Sequence, residues 1–453
     1  MSFLSGWWKN TTKQEKLIQF IVFWFVFGYS TDINGGMLGG PMCLAWLYIA
    51  YDCFKKRSLA GFYMPKKYWR GLVVFLGLIV LASVLLGDKP SIRMAGQYVY
   101  WALPFPTLFY LGKQADIKYA VFLAVMLSLT TFAVNMMYID YLLMHGVKHP
   151  GFRAGGRIGA FWKLPTTYAL LEIGILPILL SSFKDEKLRS NSIVFILQII
   201  VSLLGFWSLW RAGSRGASLG LCMGAIVVGS IVCYRLQIWK TVLVFFLLCS
   251  VLISGYAFFG VVPFGHRSRS DSVRLRLFSY SYAMWKDHKL LGVGLANWNE
   301  HYRQKYLNDE KEISKTRKSV RDQYVAYYAA KQKKVEPKKL EIRIKKAIEA
   351  AIKLNADYRM SHNVTLWFFS TTGVLGGIGY IIFFLHYIYL MMKEARKYPE
   401  NWMIAACLWV FLAINIFGMV DAGITFKGGA RLLYIMLGIG LSSTCVARGD
   451  SNI

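Results

Sequence analysis

The chain has 453 residues, of which 56% are hydrophobic and only 17% are charged, and its formal net charge is +29. A soluble globular protein carries about 25% charged residues, so this composition excludes an ordinary soluble domain. So strong a positive charge would suggest nucleic acid as the partner of a soluble protein. In a membrane protein, lipid headgroups and lipid-linked phosphates are the expected anions, and we expect no nucleic-acid partner.

The apolar residues fall in uncharged blocks of the ~17–25 residues that cross a bilayer. Such segments must satisfy their own backbone hydrogen bonds in lipid, so each block predicts a helix. The first block lacks a small-residue cleavage site and is predicted to be an anchor. The fold class is therefore an all-α polytopic integral membrane protein with about 12 transmembrane helices. The predicted spans are 17–30, 36–53, 70–87, 94–112, 119–143, 165–182, 192–210, 215–233, 240–260, 363–391, 401–419 and 430–447.

The distribution of lysine and arginine gives the orientation. With the N-terminus in the cytoplasm, every short loop on that side is basic, as topology requires. This predicts nine helices over 1–260, a large periplasmic loop over 261–361, and three helices with a short cytoplasmic tail over 362–453. The loop has 23 basic against 11 acidic residues, net +12. Long loops cross the membrane largely regardless of charge, so this basic loop does not contradict the orientation.

The second half of the large loop has a helical pattern. Leu340, Ile344, Ile348 and Ile352 recur every four residues, and Pro337 separates them from an earlier tyrosine-rich segment. We expect two amphipathic helices that lie on each other or on the membrane. A direct grip on substrate is the alternative role.

Several arginines lie on the predicted outer face, where topology does not require them. Arginine presents a planar fork of donors that matches phosphate oxygens. The alternative is that each side chain only snorkels to the headgroups. Arg153 and Arg157 lie in the loop 144–164, Arg211 and Arg215 bracket a turn between two spans, Arg274 and Arg276 open the first loop helix, and Arg431 begins the last span.

Two further ionisable residues are candidates. His362 stands where the large loop returns to the membrane, and histidine is the usual proton acceptor near neutral pH, although a structural cap is the alternative. Glu172 lies within the sixth span, where a carboxylate is either functional or neutralises an arginine. The seven cysteines lie in or beside apolar spans and form no metal-ligand spacing with histidine, so we expect no metal site or cofactor.

Four ordered stretches between about 160 and 380 resemble the O-antigen ligase family. That family also contains O-antigen polymerases and protein O-oligosaccharyltransferases. The stretches are Gly156-Arg-Ile-Gly-Ala-Phe-Trp-Lys-Leu-Pro165; Gly213-Ser-Arg-Gly-Ala217; Arg274 with Trp285-Lys-Asp-His-Lys-Leu-Leu-Gly-Val-Gly294; and Ser361-His-Asn-Val-Thr-Leu366 with Gly373-Val-Leu-Gly-Gly377.

The resemblance implies transfer of a glycan from an undecaprenyl-diphosphate carrier to an acceptor hydroxyl on lipid A-core. The reaction would occur at the periplasmic face of the bacterial inner membrane, without a metal or another cofactor. Arg157, Arg215 and Arg274 would bind the diphosphate, and His362 would be the general base. The alternatives are an O-antigen polymerase, a protein O-oligosaccharyltransferase, and a lipid or polysaccharide transporter. A transporter would place polar groups at mid-bilayer in broken helices, whereas these cations concentrate at one face.

Overall fold

The structure is a computed structural model that describes residues 11–31, 35–58, 63–147, 152–153, 157–158, 165–235, 268–330, 337–421, 423–425 and 427–446. Up to residue 235 the described chain is a series of mostly apolar helices with one short strand pair. The elements are α1 (Lys13–Thr31), α2 (Gly35–Lys56), α3 (Lys66–Leu86), α4 (Lys89–Ala102), α5 (Pro104–Gln114), α6 (Lys118–Met144), β1 (Phe152–Arg153), β2 (Arg157–Ile158), α7 (Pro165–Ile173), α8 (Leu176–Ser181), α9 (Glu186–Arg189), α10 (Ser192–Ala212) and α11 (Arg215–Arg235).

After residue 267 the described chain is again helical. Four helices belong to the predicted large loop, and three long helices follow. They are α12 (Ser268–Asp287), α13 (Trp298–Leu307), α14 (Glu310–Ala330), α15 (Pro337–Ala356), α16 (Val364–Lys397), α17 (Trp402–Gly418) and α18 (Lys427–Val446).

The helices confirm an all-α polytopic membrane protein. Within the described residues, six helical segments are long and apolar enough to cross a membrane, and α17 and most of α11 are shorter apolar helices. The predicted span 240–260 lies outside the described residues, so the total of about 12 stays a prediction. The six long segments are Lys66–Leu86, Lys118–Met144, Pro165–Lys184, Ser192–Ala212, Val364–Lys397 and Lys427–Val446.

Proline interrupts two of the predicted continuous spans. The span 94–112 is two helices, because α4 ends at Ala102 and Pro104 begins α5. The span 165–182 breaks between α7 and α8, where Pro177 is the second residue of the new helix. Proline has no N–H to donate and clashes inside a helix, but it fits the first turn of a new one.

The chain divides into two compact units. The first comprises 1–74, 97–267 and 382–453, and the second comprises 75–96 and 268–381. In the first unit, glycines allow helices to approach closely. A Cβ on Gly220 of α11 would lie 2.4 Å from the carbonyl oxygen of Ala413 in α17, and one on Gly438 of α18 would lie 2.7 Å from that of Phe105 in α5.

The second unit contains the helices of the large loop. The predicted apolar stripe is confirmed: Leu340, Ile344, Ile348 and Ile352 of α15 line a groove together with Val325 of α14. The two amphipathic helices therefore pack on each other, since each covers part of the apolar face of its neighbour.

Candidate active site

His362 lies in a tight turn that its two neighbours hold in place. Its φ is 53°, a left-handed conformation that few non-glycine residues adopt. The Ser361 hydroxyl donates to the Asn363 carbonyl oxygen (2.6 Å), and the Leu366 N–H donates to Asn363 Oδ1 (2.9 Å). Asn363 thus caps α16. Backbone strain of this kind concentrates at functional sites.

A row of aromatic rings leads away from His362 into the second unit. The half-buried His362 ring meets the edge of Tyr358, with ring centroids 6.4 Å apart. Tyr358 meets Tyr302 at 5.9 Å, and Tyr302 stacks on Trp298 at 5.1 Å and on Tyr306 at 6.2 Å. The half-buried Tyr358 thus links the imidazole to the buried rings of Trp298, Tyr302 and Tyr306.

Two of the family-like stretches interlock through their backbones. At Gly373, helix α16 has φ 62° and ψ −157°, a conformation essentially restricted to glycine. The Val293 N–H donates to the Ser370 carbonyl (2.8 Å), the Gly294 N–H donates to that of Thr371 (2.9 Å), and the Val374 N–H donates to that of Lys289 (2.8 Å). The turn 289–294 therefore binds the kinked helix that begins just after His362.

The loop after α3 also holds this turn, a feature that sequence reasoning missed. Asp88 Oδ2 accepts from the Ser91 N–H (3.0 Å) and from Asn297 Nδ2 (3.1 Å), while Ser91 Oγ accepts from the Ala296 N–H (3.2 Å). The sequence indicated only a short outer connection at 88–93. An Asp followed three residues later by Ser at a helix start was the available signal.

Arg274 and Arg276 occupy different sides of α12. Two positions along an α-helix are about 200° apart around its axis. Arg276 pairs with Glu312 (3.3 Å) and lies over the Tyr306 ring at 4.8 Å. Burial lowers the pKa of Arg276, but Tyr302, Tyr306 and Glu312 outweigh it and the net pKa is raised. Arg276 is therefore held inside the loop helices, whereas Arg274 is half-buried on another side.

The expectation that Arg274 and Arg276 open this helix is wrong. Helix α12 begins at Ser268, so Arg274 lies about two turns inside it. The polar residues before Arg274 extend the helix toward its N-terminus, and the apolar pattern used to set the boundary does not detect them. The positive end of a helix dipole, which favours a bound anion, therefore lies at Arg215 but not at Arg274.

In the first unit, the stretch Gly213 to Ala217 forms a helix-to-helix turn. Gly213 has φ 59° and ends α10, and Ser214 precedes α11, with its hydroxyl accepting from the Ala217 N–H (3.4 Å). Arg215 is then the first residue of α11 and is half-buried. A Cβ on Gly216 would lie 2.6 Å from Val420, so glycine is needed for close packing here.

Arg211 already has a partner in the first unit. Its Nε donates to Asp140 Oδ2 (3.0 Å), and its Nη2 donates to Asp140 Oδ1. This bidentate geometry occupies the guanidinium fork. Sequence reasoning missed Asp140, although a carboxylate near the end of the apolar block 119–143 was a visible signal.

Glu172 and Arg431 are both buried in the first unit. Glu172 is fully buried and accepts from the Ser208 hydroxyl, and its Oε2 has no hydrogen-bond partner among the described residues. Its described contacts therefore do not support neutralisation of an arginine. Arg431 is 6% exposed, with its guanidinium 5.6 Å from the ring centroid of Tyr29 and 5.3 Å from that of Tyr100.

The predicted site residues divide between the two units. His362, Arg274 and Arg276 belong to the second unit, and the other candidates belong to the first. Arg153 and Arg157 face each other in register in the antiparallel pair β1–β2. The rest of their loop, 148–151, 154–156 and 159–164, lies outside the described residues.

Comparison with known proteins identifies one domain. A family model described as O-antigen ligase matches residues 200–330, from α10 to α14. No curated protein matches the chain. The domain match includes Arg215, Arg274 and the turn at Gly292–Gly294, and it confirms the family resemblance inferred from the motifs. It supports membrane glycan transfer of the O-antigen ligase or polymerase type, with a lipid-linked glycan and a glycan acceptor as substrates.

Proposed function

We propose, from the premise of an O-antigen ligase domain at 200–330, that this membrane protein joins O-antigen to lipid A-core. The donor would be undecaprenyl-diphosphate-linked glycan, and the reaction would take place on the periplasmic side of the bacterial inner membrane. The observation that carries the proposal is the turn at His362. It presents a half-buried imidazole just before the helix whose kink at Gly373 is hydrogen-bonded to a second family-like stretch.

In the proposed reaction, His362 takes the proton of the acceptor hydroxyl as its oxygen attacks the anomeric carbon of the donor sugar. The bond from that carbon to the diphosphate oxygen breaks, and undecaprenyl diphosphate leaves with the electron pair. A base that is held close to the acceptor contributes ~10²–10⁴-fold in rate. This displacement needs no metal ion if cationic side chains stabilise the charge on the departing diphosphate.

Arg215, Arg274 and Arg157 are the proposed diphosphate ligands. Arg215 begins α11, where the helix dipole also favours an anion. Arg274 is half-buried in the same unit as His362. Arg211 and Arg276 are weaker candidates, because Asp140 and Glu312 already pair with them. The buried Arg431, whose described contacts are two tyrosine rings, is a stronger one.

Deletion of the gene in its native host tests the proposal. A ligase deletion leaves lipid A-core intact but without polymer, and undecaprenyl-linked polymer accumulates. If polymer of normal length stays attached to lipid A-core, the proposed ligase function is wrong. If lipid A-core instead carries a single repeat unit, the enzyme is a polymerase, the second activity that the domain supports.

A further inference from the structure

A groove with a mixed polar and apolar lining lies within the second unit, between α12 and α14. It has a volume of about 570 Å³ and an open mouth. Its walls combine hydroxyl, carboxylate, amide and ammonium groups. They include Ser279, Tyr280, Asp309, Lys311, Ser319 and Asn355, together with Arg276.

Arg276 is the clearest sign that the groove takes a ligand. Its side chain is only 9% exposed, and Nη1 donates to Glu312. Its Nε and Nη2 have no hydrogen-bond partner in the described part of the chain. A buried donor without a partner is unfavourable, so a ligand whose acceptor oxygens reach this guanidinium would stabilise the arrangement.

The acidic groups in the walls decide which ligand fits. Asp309 accepts from the Tyr280 hydroxyl (2.6 Å), and this hydrogen bond lowers the pKa of Asp309. Glu312 is ion-paired with Arg276 and with Lys315. Both carboxyl groups can accept hydrogen bonds from sugar hydroxyls, and Lys311 and Arg276 can donate to sugar oxygens, so a lining that mixes donors and acceptors suits a glycan.

The groove is connected to His362 through residues of the same unit. Asn355 lines the groove, and its carbonyl accepts from the Tyr302 hydroxyl (3.0 Å). Tyr302 contacts Tyr358, whose ring meets that of His362. The wall of the groove at Asn355 is therefore joined through Tyr302 and Tyr358 to the turn that holds the proposed base.

We propose that the groove between α12 and α14 binds a short stretch of glycan through its hydroxyls, and that it orients this chain relative to His362. The inference rests on the proposed transfer function, which it extends to a substrate-binding site. The glycan could come from the donor or from the acceptor, since both present the same hydroxyl chemistry.

Two exposed serines on α14 provide a matched pair of variants. Ser319 lines the groove and Ser314 does not. A tryptophan at 319 would fill the groove, whereas a tryptophan at 314 would add the same bulk outside it. Lys311→Ala, which removes an exposed ammonium from the rim, is a second groove variant if Ser319→Trp does not fold.

The experiment uses the full chain in lipid nanodiscs and isothermal titration calorimetry. One probe is oligosaccharide released by mild acid from the host's lipid-linked glycan, and the other is core oligosaccharide from the host's lipid A-core. We expect one of them to bind. Ser319→Trp should weaken that binding about tenfold or more, a loss of at least ~1.4 kcal/mol, with Ser314→Trp unchanged. The probe that binds identifies the donor or the acceptor as the source.

Glycan binding is measured separately from glycan transfer, so the groove proposal and the transfer function can be refuted independently. His362→Ala should bind the probe normally while losing transfer. The groove proposal is overturned if neither oligosaccharide binds the wild-type protein, or if Ser319→Trp and Ser314→Trp behave alike. In either case, loss of attached polymer in the deletion strain would still support the transfer function. A deletion strain with normal attached polymer overturns the transfer function, whatever the calorimetry gives.

Discussion

Gly373→Ala should uncouple the kinked helix α16 from the turn at 289–294. The native φ of 62° and ψ of −157° cost a non-glycine residue about 1–3 kcal/mol. A new Cβ would also lie 2.1 Å from the Leu290 carbonyl oxygen, so the two backbones must separate. Three backbone hydrogen bonds join them, each with a net worth of about 0.5–1.5 kcal/mol.

Strain and lost hydrogen bonds together predict a loss of about 3–7 kcal/mol, a large part of the ~5–15 kcal/mol that stabilises a typical domain. The assay compares thermal unfolding and glycan transfer of purified variants in nanodiscs. Gly77→Ala is the matched control. Gly77 lies in α3, a Cβ there would meet nothing within 4 Å, and alanine favours a helix by about 0.5–1 kcal/mol. Wild-type stability and transfer in Gly373→Ala would refute the reasoning.

Three further predictions concern separate parts of the chain. Burial lowers the pKa of His301. Its contribution to the free energy of unfolding is therefore full above the unfolded pKa of ~6.5 and is lost as the pH falls through the folded pKa. His301→Gln should make the melting temperature less dependent on pH between about pH 5 and 7. Arg211→Asp should lower the melting temperature and Arg211→Asp with Asp140→Arg should restore it; a failure to restore it argues against their ion pair as the stabilising contact. Reporter fusions after Glu310 and after Lys397 should give periplasmic and cytoplasmic signals respectively, and the reverse pattern contradicts the proposed topology.

The helical architecture was largely predictable from sequence, because each apolar block must form its own backbone hydrogen bonds in lipid. The stripe Leu340 to Ile352 was predictable for a similar reason, since a helical period places those side chains on one face. The helix breaks at Pro104 and Pro177 were also predictable, since proline fits the first turn of a helix and not its interior.

The detailed contacts of the candidate site were not predictable in the same way. Motifs identified His362 and Gly373, but a single sequence does not specify that the turn 289–294 bonds to the kink. Nor does it specify that Glu312 pairs with Arg276, since the two are far apart in the chain and several arginines were equivalent candidates. Such pairings depend on tertiary packing rather than on local pattern.

Single-turnover transfer by His362→Gln tests the central claim most directly. Glutamine can hydrogen-bond, but it cannot accept a proton at neutral pH. Purified protein in nanodiscs is given undecaprenyl-diphosphate-linked glycan and lipid A-core, with His145→Gln as the control because His145 is exposed. We expect a fall of ~10²–10⁴-fold in rate for His362→Gln, with donor binding retained. A rate near that of the wild type would contradict the assignment of His362 as the base.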